Sequence, residues 1–163
     1  MSGVLVLDID GTITTANNYE LERLITYAKT NGIKIYINTA RSQKYCNNPS
    51  NLTTNIAKFE DHLCLVHEDH PISKLKNMDT IHSMTNVAKS SIILIDDRPE
   101  NITKIRNNGY KGILVNEKTG IQKNTVDKAI KIFNNKSKKP KQYLNDKNKI
   151  VLIIIGVLIL ILI

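Results

Sequence analysis

The sequence predicts an α/β fold, a five-stranded parallel sheet in a three-layer sandwich with helices, followed by a C-terminal transmembrane helix. Three observations carry this. Short apolar runs alternate with segments of helical spacing from residue 3 to about residue 134. Most of these runs are continuously apolar, as strands covered on both faces are. The last stretch, residues 150–163 (IVLIIIGVLILILI), is apolar at all 14 positions.

In order, residues 3–8 (GVLVLD) read as a buried strand ending in a carboxylate, and Gly11 and Thr12 mark a turn. Residues 19–31 (YELERLITYAKTN) place Leu21, Leu24, Ile25 and Ala28 on one helical face, with Gly32 as a stop. Residues 33–38 (IKIYIN) alternate and read as a second strand. Residues 42–51 read as loop, 52–60 as a short helix and 63–67 (LCLVH) as a third strand. A helix is expected over 73–88, a strand over 91–96 (SIILID), a helix over 99–108, a strand over 111–115 (KGILV) and a last helix over about 121–134. No internal repeat interrupts this order. The domain division that follows is 1–135 for the α/β domain, 136–149 for a basic linker and 150–163 for the anchor.

The bulk numbers agree with one folded domain plus an appendage: 163 residues, 23% charged and 41% hydrophobic. The net charge of +8 is unevenly placed. Residues 136–149 (KSKKPKQYLNDKNK) hold six Lys and one Asp, so the rest carries only +3. A basic surface for nucleic acid is therefore weakly supported. Cys46 and Cys64 form no metal-ligand pattern and no disulfide framework, and they read as two reduced thiols in an intracellular compartment. The opening MSGVLVLDIDG breaks its apolar run with Asp8 and Asp10, so no signal peptide is expected.

A helix of 14 residues spans about 21 Å, short of the roughly 30 Å of a bilayer core. A buried core helix is the competing reading of residues 150–163. It fails for want of a polar face and because a Lys-rich, Pro-containing linker separates the segment from the last predicted element. Bilayer thinning and snorkelling by Lys147 and Lys149 accommodate a short span. The Lys cluster predicts that the N-terminal domain stays cytosolic. It also predicts that Lys136–Lys149 contacts anionic lipid at about 1 kcal/mol per Lys.

In open parallel sheets ligands bind beyond the carboxyl ends of the strands. Asp8 and Asp10 follow the first strand, Thr39 the second, and Asp96 and Asp97 the fourth. Residues 8 and 10 share a face in extended chain. One carboxylate can attack phosphorus while the other handles protons. A divalent ion such as Mg²⁺ would offset the repulsion between these carboxylates and a phosphate.

Four segments then coincide. DIDGT (8–12) resembles the first motif of haloacid dehalogenase (HAD) superfamily phosphatases, D-x-D-G-T. IYINT (35–39), followed by Ala40 and Arg41, resembles the second. Lys74, 22 residues before Asp96 and near a helix start, stands where the third-motif lysine is expected. ILIDDRPEN (93–101) resembles the fourth. The resemblance spans about residues 3–135 and implies a HAD-like (Rossmannoid) sandwich and a Mg²⁺-dependent phosphatase that works through an aspartyl phosphate. It implies Asp8 as nucleophile and metal ligand, and Asp10 as general acid and base with its backbone carbonyl on the metal. It further implies Thr39, with Ala40, and Lys74 against the phosphoryl group, and Asp96 and Asp97 on Mg²⁺. Lys76 is the runner-up for the lysine. An acid/base at Asp10 favours hydrolysis over the long-lived phosphoenzyme of a pump. The cluster His62, His67, Glu68, Asp69 and His70 reads as a polar loop after the third strand rather than a metal site.

Only 28 residues separate Asp10 from Thr39, and 34 separate Thr39 from Lys74, so no sizeable cap domain fits either gap. Capless members of the superfamily act on large substrates, so the expected substrate is a phosphoprotein, a nucleic-acid end or a lipid headgroup. DIDGTIT (8–14) is also similar to the lipin-type phosphatidate phosphatases, over seven residues only. Two alternatives stand beside this reading. One is a phosphatase for a small metabolite or nucleotide. The other is a non-catalytic, membrane-anchored binding module, which a lost motif residue would favour; none is lost.

Overall fold

Strands β1 (Val4–Leu7), β2 (Lys34–Asn38), β3 (Asp61–Leu63), β4 (Ile92–Asp96) and β5 (Lys111–Leu114) pair in the order β3-β2-β1-β4-β5 in a computed structural model. It describes residues 3–46 and 60–137. Every pairing is parallel. The chain winds outward from β1 to β3, then returns to the other side of β1 for β4. The sheet therefore reverses its winding between β1 and β4, the place where such sheets open a crevice.

Helices α1 (Asn18–Thr30), α3 (His70–Thr85), α4 (Pro99–Asn107) and α5 (Lys123–Ser137) cover the two faces. Alternate strand residues divide the core. Leu5, Leu7, Ile35, Ile37, Ile93 and Ile95 pack with α1 and α5. Val4, Val6, Tyr36, Ile92 and Leu94 pack with Met78 and Ile81 of α3 and Ile102 and Ile105 of α4. Burial on both faces is what the continuous apolar runs require.

Three boundaries differ from expectation. The strand expected over 63–67 is Asp61–Leu63; beyond it the two segments stay linked by the Thr39 amide to the Leu63 carbonyl at 3.0 Å and the Leu65 amide to the Arg41 carbonyl at 2.9 Å. The segment 42–51, expected as loop, contains the short helix α2 (Gln43–Cys46). Helix α3 starts and ends three residues earlier than expected. Asp69 caps it by accepting from the Ile72 amide at 3.0 Å, with Pro71 in its first turn. The end of the HEDHP segment is therefore a helix start. The helix expected over 52–60 falls outside the described residues except at residue 60.

Cys46 and Cys64, expected as free thiols, are joined in a disulfide across 5.7 Å between their Cα atoms. The topology explains the meeting. Strands β2 and β3 are neighbours, so α2, which follows β2, lies beside the residue that follows β3. Residues 138–163, which hold the expected anchor and most of the basic linker, lie outside the described residues. Among the described residues no helix is long and apolar enough to cross a membrane.

Candidate active site

Strands β1 and β4 run in register, Leu7 beside Ile95, so the next residues, Asp8 and Asp96, emerge together. The Asp8 amide donates to the Ile95 carbonyl at 3.0 Å. Both aspartates are buried, and so is Lys74, whose side chain crosses from α3 to meet them. Lys74 Nζ lies 2.5 Å from Asp8 Oδ1 and 3.0 Å from Asp96 Oδ2, and it donates to the Asn38 carbonyl as well. Three N–H donors thus meet three oxygens, which satisfies a buried ammonium. Lys76 is exposed, so the lysine at the cavity floor is Lys74.

Two asparagines, neither singled out from sequence, hold this lysine and its strand. Asn38 Nδ2 donates to the Lys74 carbonyl at 3.0 Å. Asn77 Nδ2 donates to Asn38 Oδ1 at 2.9 Å and to the Cys64 carbonyl at 2.8 Å. A third, Asn101, donates from Nδ2 to both Asp96 oxygens, at 2.9 and 3.2 Å, and the Arg98 amide adds a bond at 2.9 Å. The downstream Asn of ILIDDRPEN thereby fixes the rotamer of Asp96.

Asp10 sits one layer out. Its side chain is 60% exposed and takes a two-pronged grip from Arg41, Nε to Oδ2 at 2.8 Å and Nη2 to Oδ1 at 2.5 Å. The hydrogen bonds from Arg41 hold its carboxyl below the usual carboxylate range. Asp8 goes the other way. Burial pushes it up to about 6, with Lys74 pulling it down and Asp96 pushing it further up. Burial also raises Asp97.

A cavity of about 250 Å³ opens over this floor, with Ala40, Arg41, His70 and Arg98 on its walls beside the aspartates. Thr39 is buried at the end of β2, where its hydroxyl accepts from the Arg41 amide at 3.2 Å. It is not among the lining residues; its neighbour Ala40 is. Glu117, from the turn after β5, also lines the cavity, and nothing in its sequence context marks it. The turn that carries it is tied to the turn after β1: Thr15 Oγ1 donates to the Glu117 carbonyl at 2.9 Å, and the Ile121 amide to the Thr12 carbonyl at 3.2 Å.

The residues fit a hard divalent cation. Asp8, Asp96 and Asp97 each offer a carboxylate oxygen, all within 4.8 Å of one another. Asn101 Oδ1, buried beside Asp96, has no hydrogen-bond partner among the described residues. An all-oxygen donor set of this kind suits Mg²⁺. The carboxylate of Asp10 is outside this group, turned toward Arg41. Among the described residues, the His67–His70 segment contributes no such cluster.

No family model matches the sequence. No curated protein matches it either. The fold is similar to solved structures. One is an uncharacterized protein of Corynebacterium glutamicum, with 15% identity over 80% of this chain and 94% of that one and a TM-score of 0.57. Another is the core domain of a provisionally assigned phosphoglycolate phosphatase of Streptococcus pneumoniae, with 17% identity over 80% and 96% and a TM-score of 0.58. A third is the N-terminal part of a Bacteroides fragilis protein that contains a phosphatase domain, complexed with Mg. It is 16% identical over 82% of this chain, with a TM-score of 0.60, and the match spans 40% of that structure. At these identities the likeness shows the fold alone, an α/β parallel sheet covered by helices.

Proposed function

We propose that the protein is a Mg²⁺-dependent phosphomonoester hydrolase that works through a phosphorylated Asp8. The observation that carries the reading is Lys74, buried between Asp8 and Asp96 at the carboxyl ends of two adjacent parallel strands, with Asp97 completing an oxygen cluster. Such a floor suits a phosphoryl group: a nucleophilic carboxylate, a fixed cation and a site for a second cation. The phosphatase domains among its structural neighbours, one with Mg, support the same reading.

In this reading the Asp8 carboxylate attacks phosphorus and the ester P–O bond breaks. Asp10, which must first take up a proton against the hold of Arg41, gives it to the departing oxygen. Water then attacks the aspartyl phosphate while Asp10 takes back a proton, and phosphate leaves with Asp8 restored. Lys74 offsets negative charge at the floor, and Asp96 is held for metal binding by Asn101. Ala40 lines the wall on the β2 side, with Thr39 buried behind it. Bound Mg²⁺, held by Asp8, Asp96, Asp97 and the Asp10 carbonyl, supplies electrostatic stabilisation of the phosphoryl oxygens.

The substrate proposed is large or exposed, because the gaps of 28 and 34 residues in the sequence suit no sizeable cap and Asp10 is open to solvent. Residues 150–163 anchor the chain in a membrane in this reading, with Lys136–Lys149 on anionic headgroups. The Lys cluster favours the cytosolic side. The disulfide argues for the oxidising side, and protease protection of the membrane-inserted chain decides between them.

The test is hydrolysis of p-nitrophenyl phosphate by the full chain with Mg²⁺ and with chelator, beside Asp8→Asn. Turnover that needs Mg²⁺ and vanishes in the variant is expected. Turnover that survives Asp8→Asn sinks the nucleophile.

A further inference from the structure

Two guanidinium groups stand at the mouth of the cavity, and the chemistry at its floor uses neither. The floor is Asp8, Asp96 and Lys74, all buried, with the three donors of Lys74 already directed. The rim is different in kind. Arg41 forks onto the exposed carboxylate of Asp10 through two nitrogens. Across the mouth the exposed Arg98 reaches His70 Nδ1 at 3.3 Å; among the described residues it forms no ion pair, and it acts on Asp10 and Asp97 only through space.

Neither side chain has a structural task that explains it. Because Asp10 is open to solvent, its ion pair with Arg41 contributes little to stability. A guanidinium that lacks a carboxylate partner beside a cavity contributes less. The fork that Arg41 presents to Asp10 is the one that matches a phosphate or carboxylate. Its position says which part of a substrate it meets. The transferring phosphoryl group belongs over the buried floor. Asp10, in the reading above, faces the departing oxygen. Whatever touches Arg41 beside Asp10 therefore lies on the leaving half of the substrate.

We propose that Arg41, with Arg98 on the facing wall, recognises an oxyanion on the leaving half of the substrate, a second phosphate or a carboxylate close to the scissile ester. The proposal rests on the phosphatase reading and deepens it. On binding, Arg41 exchanges Asp10 for the substrate anion, and Arg98 gains a direct anionic partner. A substrate with a neutral leaving half finds no such partner.

The experiment compares propyl phosphate, 2-carboxyethyl phosphate and propane-1,3-diyl bisphosphate as substrates of the full chain with Mg²⁺. The wild type is expected to favour one or both charged esters in kcat/KM by at least about tenfold, the factor that one charge-assisted hydrogen bond supplies. Which of the two it favours separates carboxylate from phosphate. Arg41→Gln and Arg98→Gln are expected to bring the preference toward unity, and Arg41→Lys to keep part of it. Equal rates in the wild type overturn the proposal. So does a variant that lowers all three rates in equal proportion, since the arginine then acts on the phosphoryl group or on Asp10.

A binding arm does not need turnover. Propylphosphonate, 3-phosphonopropanoate and propane-1,3-diylbisphosphonate are compared by thermal shift with Mg²⁺. Stronger stabilisation by either compound with an anion at both ends, lost in Arg41→Gln, supports the anion site even if no ester is hydrolysed, in which case the phosphatase reading alone has failed. Equal stabilisation by all three overturns the site.

Discussion

Lys74 Nζ stands 2.5 Å from Asp8 Oδ1, a buried ammonium on a buried carboxylate, with Asp96 as its second anionic partner at 3.0 Å. Removing one member of such a group leaves uncompensated charge in the interior. Lys74→Met is expected to cost about 3–5 kcal/mol, as for other broken buried pairs. Mg²⁺ should recover part of the loss, because it brings positive charge to the same two carboxylates. Lys76→Met, on the exposed face, should stay within about 0.5 kcal/mol of wild type. Urea unfolding of both variants, with chelator and with Mg²⁺, checks this. Equal effects of the two substitutions would remove Lys74 from the floor of the site.

Asp8 gives a pH signature. Burial, opposed by Lys74 and reinforced by Asp96, lifts it from 3.8 to about 6. A carboxyl raised in the folded state holds its proton more tightly there than in the unfolded chain. Its contribution to stability is thus greatest below 3.8 and declines as pH climbs to about 6. A metal ion needs the ionised form, so Mg²⁺ affinity should fall by up to about tenfold per pH unit below that value and level off above it. Thermal unfolding from pH 4 to 8 in chelator and in saturating Mg²⁺ reads both. The gap between the two curves should widen with pH up to about 6. A gap that is constant across the range contradicts the shift. Asp8→Asn should flatten the chelator curve.

Much of this site was legible because strand ends are legible. The continuous apolar runs placed Asp8 and Asp96 at carboxyl ends, and parallel pairing then brings them together without further information. Lys74 against Lys76 was harder, since both precede Asp96 by similar distances. Helix phase decides it, and that phase depends on the Asp69 cap, which lies in a segment that reads as loop. Arg41 and Glu117 were missed as site residues for another reason. Arg41 is an ordinary basic residue after a motif until its fork onto Asp10 is seen. Glu117 reaches the cavity only because the turn after β5 folds back onto the turn after β1.

The Cys46–Cys64 bridge was illegible because two cysteines 18 residues apart look alike whether they pair or not. Its place gives a prediction. It closes the segment that leaves the β2 end of the site and returns after β3, and the Cys64 carbonyl accepts from Asn77, which also holds Asn38. Chain-entropy arguments give about 3 kcal/mol for a closed loop of roughly this size. Cys46→Ser with Cys64→Ser should lower unfolding stability by about that amount. Reductant should produce the same loss in the wild type and none in the double variant. Identical unfolding curves for oxidised and reduced wild type would contradict the bridge.

Gly120 tests whether the two turns act as one support for Asp10. Its φ is +57°, and a Cβ there would stand 2.4 Å from the Thr12 carbonyl oxygen and 2.7 Å from the Ala16 amide nitrogen. Both are backbone atoms, so no side chain can swing aside. Gly32 is a matched control: its φ is +65°, but a Cβ there meets nothing within 4 Å. Gly32→Ala should therefore cost only the left-handed backbone penalty, about 1–2 kcal/mol, and leave turnover unchanged. Gly120→Ala carries the same penalty and must also push back the Thr12–Ala16 turn, which the Ile9 carbonyl anchors through the amides of Thr12, Ile13 and Thr14. Asp10 lies between Ile9 and that turn. Gly120→Ala should thus destabilise more than Gly32→Ala and lower kcat at temperatures where both proteins are fully folded. Equal stability loss with normal kcat would mean that the turn after β5 covers the site without positioning Asp10.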